Sequence, residues 1–174
     1  MPIILPYNDK TPEIDVNAYI SEGVVITGDV VIGAESNIWF GSVIRGDVSD
    51  VRIGVRTNIQ DGSVIHVTRG MKGTHIGDDV TVGHQVLLHA CQIGDRAFVG
   101  MKACIMDGAV VEDEAMVAAG SLVTPNKVIP KHQLWSGSPA RYMRDMTEDE
   151  IKFLKKSADN YVRLGKEYRA QQGK

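Results

Sequence analysis

The sequence predicts a single-domain parallel β-helix built from six-residue repeats. Aliphatic residues recur every six positions between Ile26 and Val123, and the series breaks only after Ile44, Ile65 and Leu88. A small or β-branched residue stands four positions after most of these anchors. Two inward-facing positions in every six residues are typical of a parallel β-helix in which three flat sides make one coil. No helical period of 3.6 residues competes with this pattern between the two ends of the series.

The composition restricts the partners that the chain is expected to have. At 174 residues it is long enough for one domain with a buried core. A net charge of −3 argues against nucleic acid or an anionic membrane as the main partner. We find no apolar run of membrane-spanning length and no secretory leader, so the sequence predicts a cytoplasmic protein. Cys91 and Cys104 lie on or beside the repeats and are expected to be small packing residues without a disulfide.

The residues outside the repeats predict an arm, a return segment and a terminal helix. The expected segments of the single domain are an extended arm at 1–20, the β-helix at 21–124, the return at 125–146 and the helix at 147–170. The arm is expected to cover the first coil, and Gly137-Ser138-Pro139-Ala140 to form a turn. Thr147 and Glu150 fit a capping box at the start of the helix. An apolar stripe predicts that the helix packs along one flat side, and its members are Ile151, Leu154, Ala158, Tyr161 and Tyr168.

The interruptions in the repeat indicate where a functional site is expected. Ile44 to Ile53 is three residues too long, Ile65 to Ile76 is five too long, and Leu88 to Ile93 is one short. A solenoid places insertions in surface loops, and functional residues collect in such loops. Because His66 and His89 each lie directly beside a break, we expect the site there.

Three histidines can be placed on the coil by counting residues from the anchors. His66 and His89 each follow a first-side anchor, so they are expected on adjacent rungs about 4.8 Å apart, with Arg45 one rung before them. Two histidines in this arrangement can bind one metal ion. His84 falls on the third side, where Asp61 holds the matching place one coil earlier. His84 would have difficulty reaching the other two within one chain, but a symmetric oligomer could supply it from a neighbour.

Each of these residues also has an ordinary structural interpretation. A single outward-facing histidine is usually a surface residue, and the argument for a metal site depends on the three matched positions together. His75 and His132 are out of register and are expected to be loop residues. Arg45 could form a structural ion pair with Asp47 or Asp61. Tyr161 is expected to pack on its helix, although its phenol could also reach the site.

Several motifs together resemble the γ-class carbonic anhydrase family. They are Val43-Ile44-Arg45-Gly46-Asp47, the run from Arg56 to Ser63 followed by His66, Val82-Gly83-His84 with His89 five residues on, Asp107-Gly108-Ala109 and Gly137-Ser138-Pro139-Ala140. The resemblance covers nearly the whole chain. It implies a left-handed parallel β-helix and a homotrimer with three sites at the subunit interfaces. His66 and His89 of one chain and His84 of the next would then bind one metal ion.

The resemblance also implies an activity and roles for the surrounding residues. Zn2+ would be the metal, with Fe2+ and Co2+ as the other candidates, and a hydroxide on it would attack carbon dioxide to give bicarbonate. Gln60 matches the family residue that orients this hydroxide. Arg45, Asp47 and Asp61 match residues that shape the site and the interface, and Asn58 lies in the same run. Tyr161 is a further candidate site residue, because its phenol could reach the site.

One departure from the family pattern affects the expected rate. The founding type of the family carries an acidic, proton-relaying loop near its first ligand, whereas residues 67–74 contain no acid. Val48 also stands after Asp47, where an acid is expected. The missing acids therefore predict slow or absent turnover, and they bear less on whether the metal is bound. The alternatives are an acyltransferase or thioesterase that uses coenzyme A thioesters, and a non-catalytic trimeric scaffold held together by metal.

Overall fold

Three flat sides of short parallel strands wind into a β-solenoid of about 7 turns, followed by one helix. The computed structural model describes residues 1–171. The first side contains β1 (Ile3–Leu5), β8 (Val64–His66), β11 (Leu87–His89), β14 (Cys104–Ile105) and β17 (Leu122–Val123). The second contains β2 (Glu13–Ile14), β9 (Thr74–Ile76), β12 (Gln92–Ile93), β15 (Val110–Val111) and β18 (Val128–Ile129). Two longer strands, β4 (Val25–Ile32) and β6 (Val43–Ile53), run across both of these sides.

The third side ends in a hairpin. Its strands are β3 (Tyr19–Ile20), β5 (Asn37–Ile38), β7 (Asn58–Ile59), β10 (Thr81–Val82), β13 (Phe98–Val99), β16 (Met116–Val117), β19 (Gln133–Gly137) and β20 (Ala140–Asp145). The last two strands pair antiparallel, and the chain turns between them at Ser138 and Pro139. The predicted turn at this place is confirmed.

Strand pairing follows the register that the six-residue spacing predicts. On the first side Ile44 pairs with Ile65 and Ile65 with Leu88, while on the third side Ile59 pairs with Val82. The anchors of these rungs are completely buried. A stack of aliphatic side chains along the solenoid axis is therefore the core, and burial of each one contributes roughly 1.5–3 kcal/mol.

The parallel pairing extends beyond the range 21–124 at both ends. Ile14 pairs with Ile32 and Ile20 with Ile38, so the arm contributes strands to the first coil instead of only covering it. At the other end Ile129 continues the second side. These residues keep the six-residue spacing of the series, and the prolines of the arm lie outside its strands.

Glycines after the anchors allow close packing between coils. A Cβ atom on Gly54 would lie 2.6 Å from the carbonyl oxygen of Gly77, and one on Gly77 would lie 2.3 Å from a carboxylate oxygen of Asp95. The left-handed backbone conformation occurs two residues later, at Arg56 and Asp79 with φ of 58° and 55°. Side chains larger than hydrogen are thus excluded by the neighbouring coil.

The interruptions differ from one another in the structure. The expectation of a loop between Ile44 and Ile53 is wrong, because the extra residues belong to the continuous strand β6. The second interruption does form a loop, at 67–73. At the third the chain turns sharply through Ala90, whose φ is 46°. Extra residues in a β-solenoid can therefore lengthen a strand across a corner as well as form a loop.

The C-terminal helix α1 (Glu148–Gln171) packs along the third side, against β3, β5, β7 and β10. The capping box is confirmed, since Thr147 Oγ1 accepts from the amide of Glu150 at 3.2 Å and Glu150 accepts from the amide of Thr147 at 2.9 Å. Three members of its buried face were not predicted, and they are Ser157, Val162 and Gly165. In the part of the chain that the structure describes, no helix is both long and apolar enough to cross a membrane.

Candidate metal centre

The site is built on a pair of histidines on neighbouring rungs of the first side. His66 ends β8 and His89 ends β11, and the two residues pair directly in register. Their ring centroids lie 5.1 Å apart. The predicted placement on adjacent rungs is therefore confirmed. Both side chains point away from the core because each follows a buried anchor, and both are partly exposed.

The separation of the two rings fits a shared metal ion. Nδ1 of His66 lies 3.1 Å from Nε2 of His89. Two nitrogens bound to one tetrahedral zinc ion at the usual bond lengths of 2.0–2.1 Å are about 3.3 Å apart. The two rings are thus placed close to the spacing that an ion would require.

An aspartate binds the outer nitrogen of each ring. His66 Nε2 lies 3.1 Å from Asp47 Oδ1, and His89 Nδ1 lies 3.1 Å from Asp107 Oδ2. A carboxylate accepts hydrogen bonds and so favours the N–H form of the nitrogen that faces it. The inner nitrogen of each imidazole is then left with its lone pair. Two lone pairs that face one another at this distance favour a cation between them, which is the property that a metal site needs.

The two carboxyl groups remain ionised for different reasons. Partial burial acts to raise the pKa of Asp47, but hydrogen bonds from Arg45 and His66 outweigh it and lower that pKa. The pKa of Asp107 is lowered chiefly by the hydroxyl of Thr68, with a further hydrogen bond from His89. Both acceptors are therefore charged at neutral pH. Of the two expected partners for Arg45, the structure shows an ion pair with Asp47.

His84 lies apart from the pair, at the edge of the third side. Its Nδ1 is 2.8 Å from Asp61 Oδ2, and both side chains are more than two-fifths exposed. Between residues 1 and 171 of one chain, no group of three His, Cys, Asp or Glu side chains is placed to hold a metal. The structure thus brings His66 and His89 together and leaves His84 directed outward, consistent with the expectation that it would have difficulty joining them within one chain.

A chain of hydrogen bonds fixes the orientation of the Gln60 amide. Gln60 Nε2 donates to Asn58 Oδ1 at 3.0 Å, and Asn58 Nδ2 donates to Thr81 Oγ1 at 2.9 Å. Thr81 Oγ1 is in turn 2.9 Å from Ser157 Oγ on α1. No group in residues 1–171 donates to Gln60 Oε1. This carbonyl oxygen therefore remains available to a donor from outside the chain.

Tyr161 packs against the third side and also borders a cavity. Its ring packs edge-on against Trp39, with centroids 5.8 Å apart. It also lines a cavity of about 500 Å³ that Gln60 and His84 share with apolar side chains. Burial first, and the charge of Asp61 second, raise the pKa of its phenol. The hydroxyl is therefore protonated at neutral pH beside two of the candidate site residues.

No role at the site was predicted for two residues that contact His89, and the expected place of one other histidine is wrong. Thr68 and Asp107 contact His89, yet 39 positions separate them. The sequence signal that points to Asp107 is its place on the coil directly after that of His89. The interpretation of His75 as a loop residue is wrong, because it lies in β9 and its Nε2 is 2.7 Å from Asp50 on the second side. His132 lies in a turn, as expected, and contacts Glu114.

Comparison with known proteins identifies the family. A carbonic anhydrase of Geobacillus kaustophilus is 46% identical over 170 residues, which cover 98% of this chain and 93% of that protein. Gamma carbonic anhydrase 1, mitochondrial, of Arabidopsis thaliana is 45% identical over 171 residues. The match covers 95% of this chain but only 62% of the length of the plant protein.

Solved structures and a family model extend the comparison. A hexapeptide transferase family protein from Anaplasma phagocytophilum superimposes with a TM-score of 0.92 at 46% identity, covering 95% of this chain and 98% of that one. A family model described as dynactin subunit 5 matches residues 8–164. The chain therefore belongs to the family that this model describes and, among its curated relatives, to the γ-class carbonic anhydrases.

Proposed function

We propose that the protein is a zinc-dependent carbonic anhydrase that converts carbon dioxide and water reversibly to bicarbonate. The observation that carries the proposal is the pair of inner nitrogens of His66 and His89, 3.1 Å apart, each with an aspartate behind it. His84 of a neighbouring chain in a homotrimer would be the third ligand. When bound, zinc would bring the pKa of a coordinated water to about 7 and so supply a nucleophile at neutral pH.

The protein's own residues would position that nucleophile and shape the site. Gln60 Oε1 would accept a hydrogen bond from the nucleophile, because the amide nitrogen of Gln60 already donates to Asn58. Asp47, paired with Arg45, keeps the ring of His66 in place. Asp61 does the same for His84. The Tyr161 hydroxyl and the apolar wall of the cavity border the path by which a small apolar substrate would enter.

The proton released in each cycle would leave through solvent. The loop at 67–73 contains no acid, and the hydroxyl of Thr68 on this loop is bound to Asp107. Turnover is therefore expected to be slow and to increase with buffer concentration, because a buffer base replaces the missing relay. Both cysteines are free, which fits the reducing cytoplasm as the proposed location.

Metal analysis and carbon dioxide hydration, measured on the same sample, test the proposal. We expect about one zinc per chain, as three imidazoles and one open position imply. Alanine in place of His66, His84 or His89 should abolish both metal and activity. His75→Ala is the matched control, since His75 also pairs with an aspartate but lies on the second side, and it should change neither. Full metal content in all three ligand variants would contradict the proposal.

A metal-dependent thioesterase is the second candidate, and the cavity beside His84 favours it. A volume of about 500 Å³ lies within the range of about 300–1,000 Å³ that is usual for organic ligands and exceeds what carbon dioxide needs. Hydrolysis of short acyl-coenzyme A thioesters by the zinc-loaded protein, without hydration activity, would select this candidate. Stoichiometric metal without either activity would favour the non-catalytic trimeric scaffold that is held together by metal.

A further inference from the structure

Thr68 and Asp107 hold the ring of His89 from the side opposite His66. Asp107 Oδ2 lies 3.1 Å from His89 Nδ1, and the other carboxylate oxygen, Oδ1, accepts a short hydrogen bond from the hydroxyl of Thr68. The same hydroxyl oxygen is 3.5 Å from His89 Nδ1. Each oxygen of the carboxylate therefore has its own donor, and the carboxylate cannot rotate without losing one of them.

This arrangement selects one tautomer of His89. The carboxylate accepts hydrogen bonds only, so it favours the form of the ring that carries its proton on Nδ1. Nε2 then carries the lone pair, and Nε2 is the nitrogen that faces His66. The opposite tautomer would place a proton on the nitrogen that a metal needs.

The loop at 67–73 supplies this contact and a second one. Thr68 lies near its start and reaches Asp107, which lies on the coil after that of His89. Thr74, directly after the loop, donates through its hydroxyl to the carbonyl oxygen of His66 at 2.6 Å. The two ends of the loop are thus tied to the two histidines, one through a carboxylate and one through the backbone.

We propose that Thr68 and Asp107 are positioning residues that hold the ring of His89 in its metal-binding tautomer and orientation. The inference rests on the proposed metal site and goes beyond it, because it assigns a role to two residues outside the ligand set. Removal of an outer partner of a metal-bound histidine lowers metal affinity by about 10–100-fold in proteins. Neither residue touches the reacting atoms in this assignment.

Metal affinity is the first measurement. Dissociation constants for Zn2+ would be obtained by competition with a chromophoric chelator for the wild type, Asp107→Asn, Thr68→Val and Asp50→Asn. We expect a 10–100-fold weaker constant for Asp107→Asn and a smaller, several-fold loss for Thr68→Val. Asp50→Asn disrupts the comparable contact with His75 on the second side and should leave the constant unchanged. A constant for Asp107→Asn within twofold of the wild type would overturn the inference.

The tautomer of His89 gives a second measurement that needs no metal. Long-range 1H–15N spectra of the metal-free protein above the pKa of histidine should show His89 protonated at Nδ1. In Asp107→Asn, and to a smaller extent in Thr68→Val, the Nε2-protonated form should increase. A wild-type ring protonated at Nε2 would overturn the inference even if metal binds. Failure of the wild type to bind metal, with the expected tautomer present, would contradict the proposed function and leave the positioning role of the two residues standing.

Discussion

Each of the three candidate ligands has an aspartate partner, but an aspartate alone does not distinguish a ligand from a structural histidine. The contact of His75 with Asp50 is shorter than those of the three candidate ligands, at 2.7 Å, and no other imidazole within residues 1–171 faces His75. What distinguishes His66 and His89 is that their aspartates lie on opposite outer sides, so that the inner nitrogens of the two rings face one another. The ligand pairs are His66–Asp47, His89–Asp107 and His84–Asp61.

Gln60 illustrates how a residue of the site depends on a distant element. Its side chain is 5% exposed, and its orientation depends on Asn58, Thr81 and finally Ser157 on the C-terminal helix. If the side-chain amide of Gln60 were flipped by 180°, its NH2 group would face the nucleophile. This group only donates hydrogen bonds, whereas the proposed role requires Oε1 to accept one. Under the proposed function, the helix would therefore contribute to the chemistry of the site through three hydrogen bonds.

Thr81→Val should lower hydration activity without lowering metal content. The substitution keeps the shape of the side chain but removes the hydroxyl that accepts from Asn58, so the Gln60 amide is held less firmly. A loss of about 1–1.5 kcal/mol in transition-state stabilisation, or roughly tenfold in kcat, is the expected size. The measurement is kcat for carbon dioxide hydration together with zinc content. Thr57→Val is the control, because the hydroxyl of Thr57 bonds backbone groups of the next coil. An equal loss of kcat in this variant would refute the role of the hydrogen bonds that link Gln60 to Ser157.

At the scale of the elements, periodicity explains what could be predicted from the sequence. Anchors such as Ile65 and Leu88 could be placed on their rungs because each coil repeats the same hydrophobic pattern, and His66 and His89 followed from them. The same counting places Asp107 on the coil after that of His89, but its contact with the ring could not be predicted, since it depends on side-chain directions. The strand through the first interruption was missed for a similar reason: residue counting shows that residues are added but not the backbone conformation they adopt.

Buried hydroxyls on the inner side of the coils are a second feature of these elements. Ser36 Oγ donates to the carbonyl oxygen of Gly54 at 2.7 Å and accepts from the amide of Thr57 at 2.9 Å. Ser21 is equally buried, but among the described residues its hydroxyl is the only buried side-chain polar group without a hydrogen-bond partner. Two serines of the same burial thus differ in whether the hydroxyl stabilises the solenoid.

Ser21→Ala should leave stability unchanged or raise it, whereas Ser36→Ala should lower it. The first variant removes a desolvated hydroxyl that gains nothing on folding, with an expected gain of about 0–1 kcal/mol. The second breaks two hydrogen bonds and leaves the amide of Thr57 without its acceptor, with an expected loss of about 1–3 kcal/mol. The free energy of unfolding in urea, measured at one protein concentration, provides the test. A destabilised Ser21→Ala would mean that its hydroxyl has a partner in solution.

At the scale of the whole molecule, one column of residues at the edge of the third side fits a subunit interface. Phe40, Asp61, His84 and Met101 follow one another on successive coils, as the backbone hydrogen bonds after each of them show. Phe40 is 38% exposed and Met101 is 53% exposed, so His84 and its aspartate lie between two uncovered apolar side chains. Apolar side chains beside an outward-facing histidine are expected where a neighbouring chain covers them. The column therefore supports the proposal that His84 serves the site of the next subunit.

Mixed refolding tests whether the site is shared between chains. His84→Ala and His66→Ala proteins should each be metal-poor when pure, because every site lacks one ligand. In a mixed trimer the His84→Ala chain still offers His66 and His89, and an adjacent His66→Ala chain still offers His84, so one interface regains all three imidazoles. Unfolding the two variants together and refolding them should recover part of the zinc content and of any hydration activity. If mixed trimers form, as shown by mass spectrometry with one variant isotopically labelled, and zinc content stays at the level of the separately refolded variants, then the three histidines do not meet across a subunit interface.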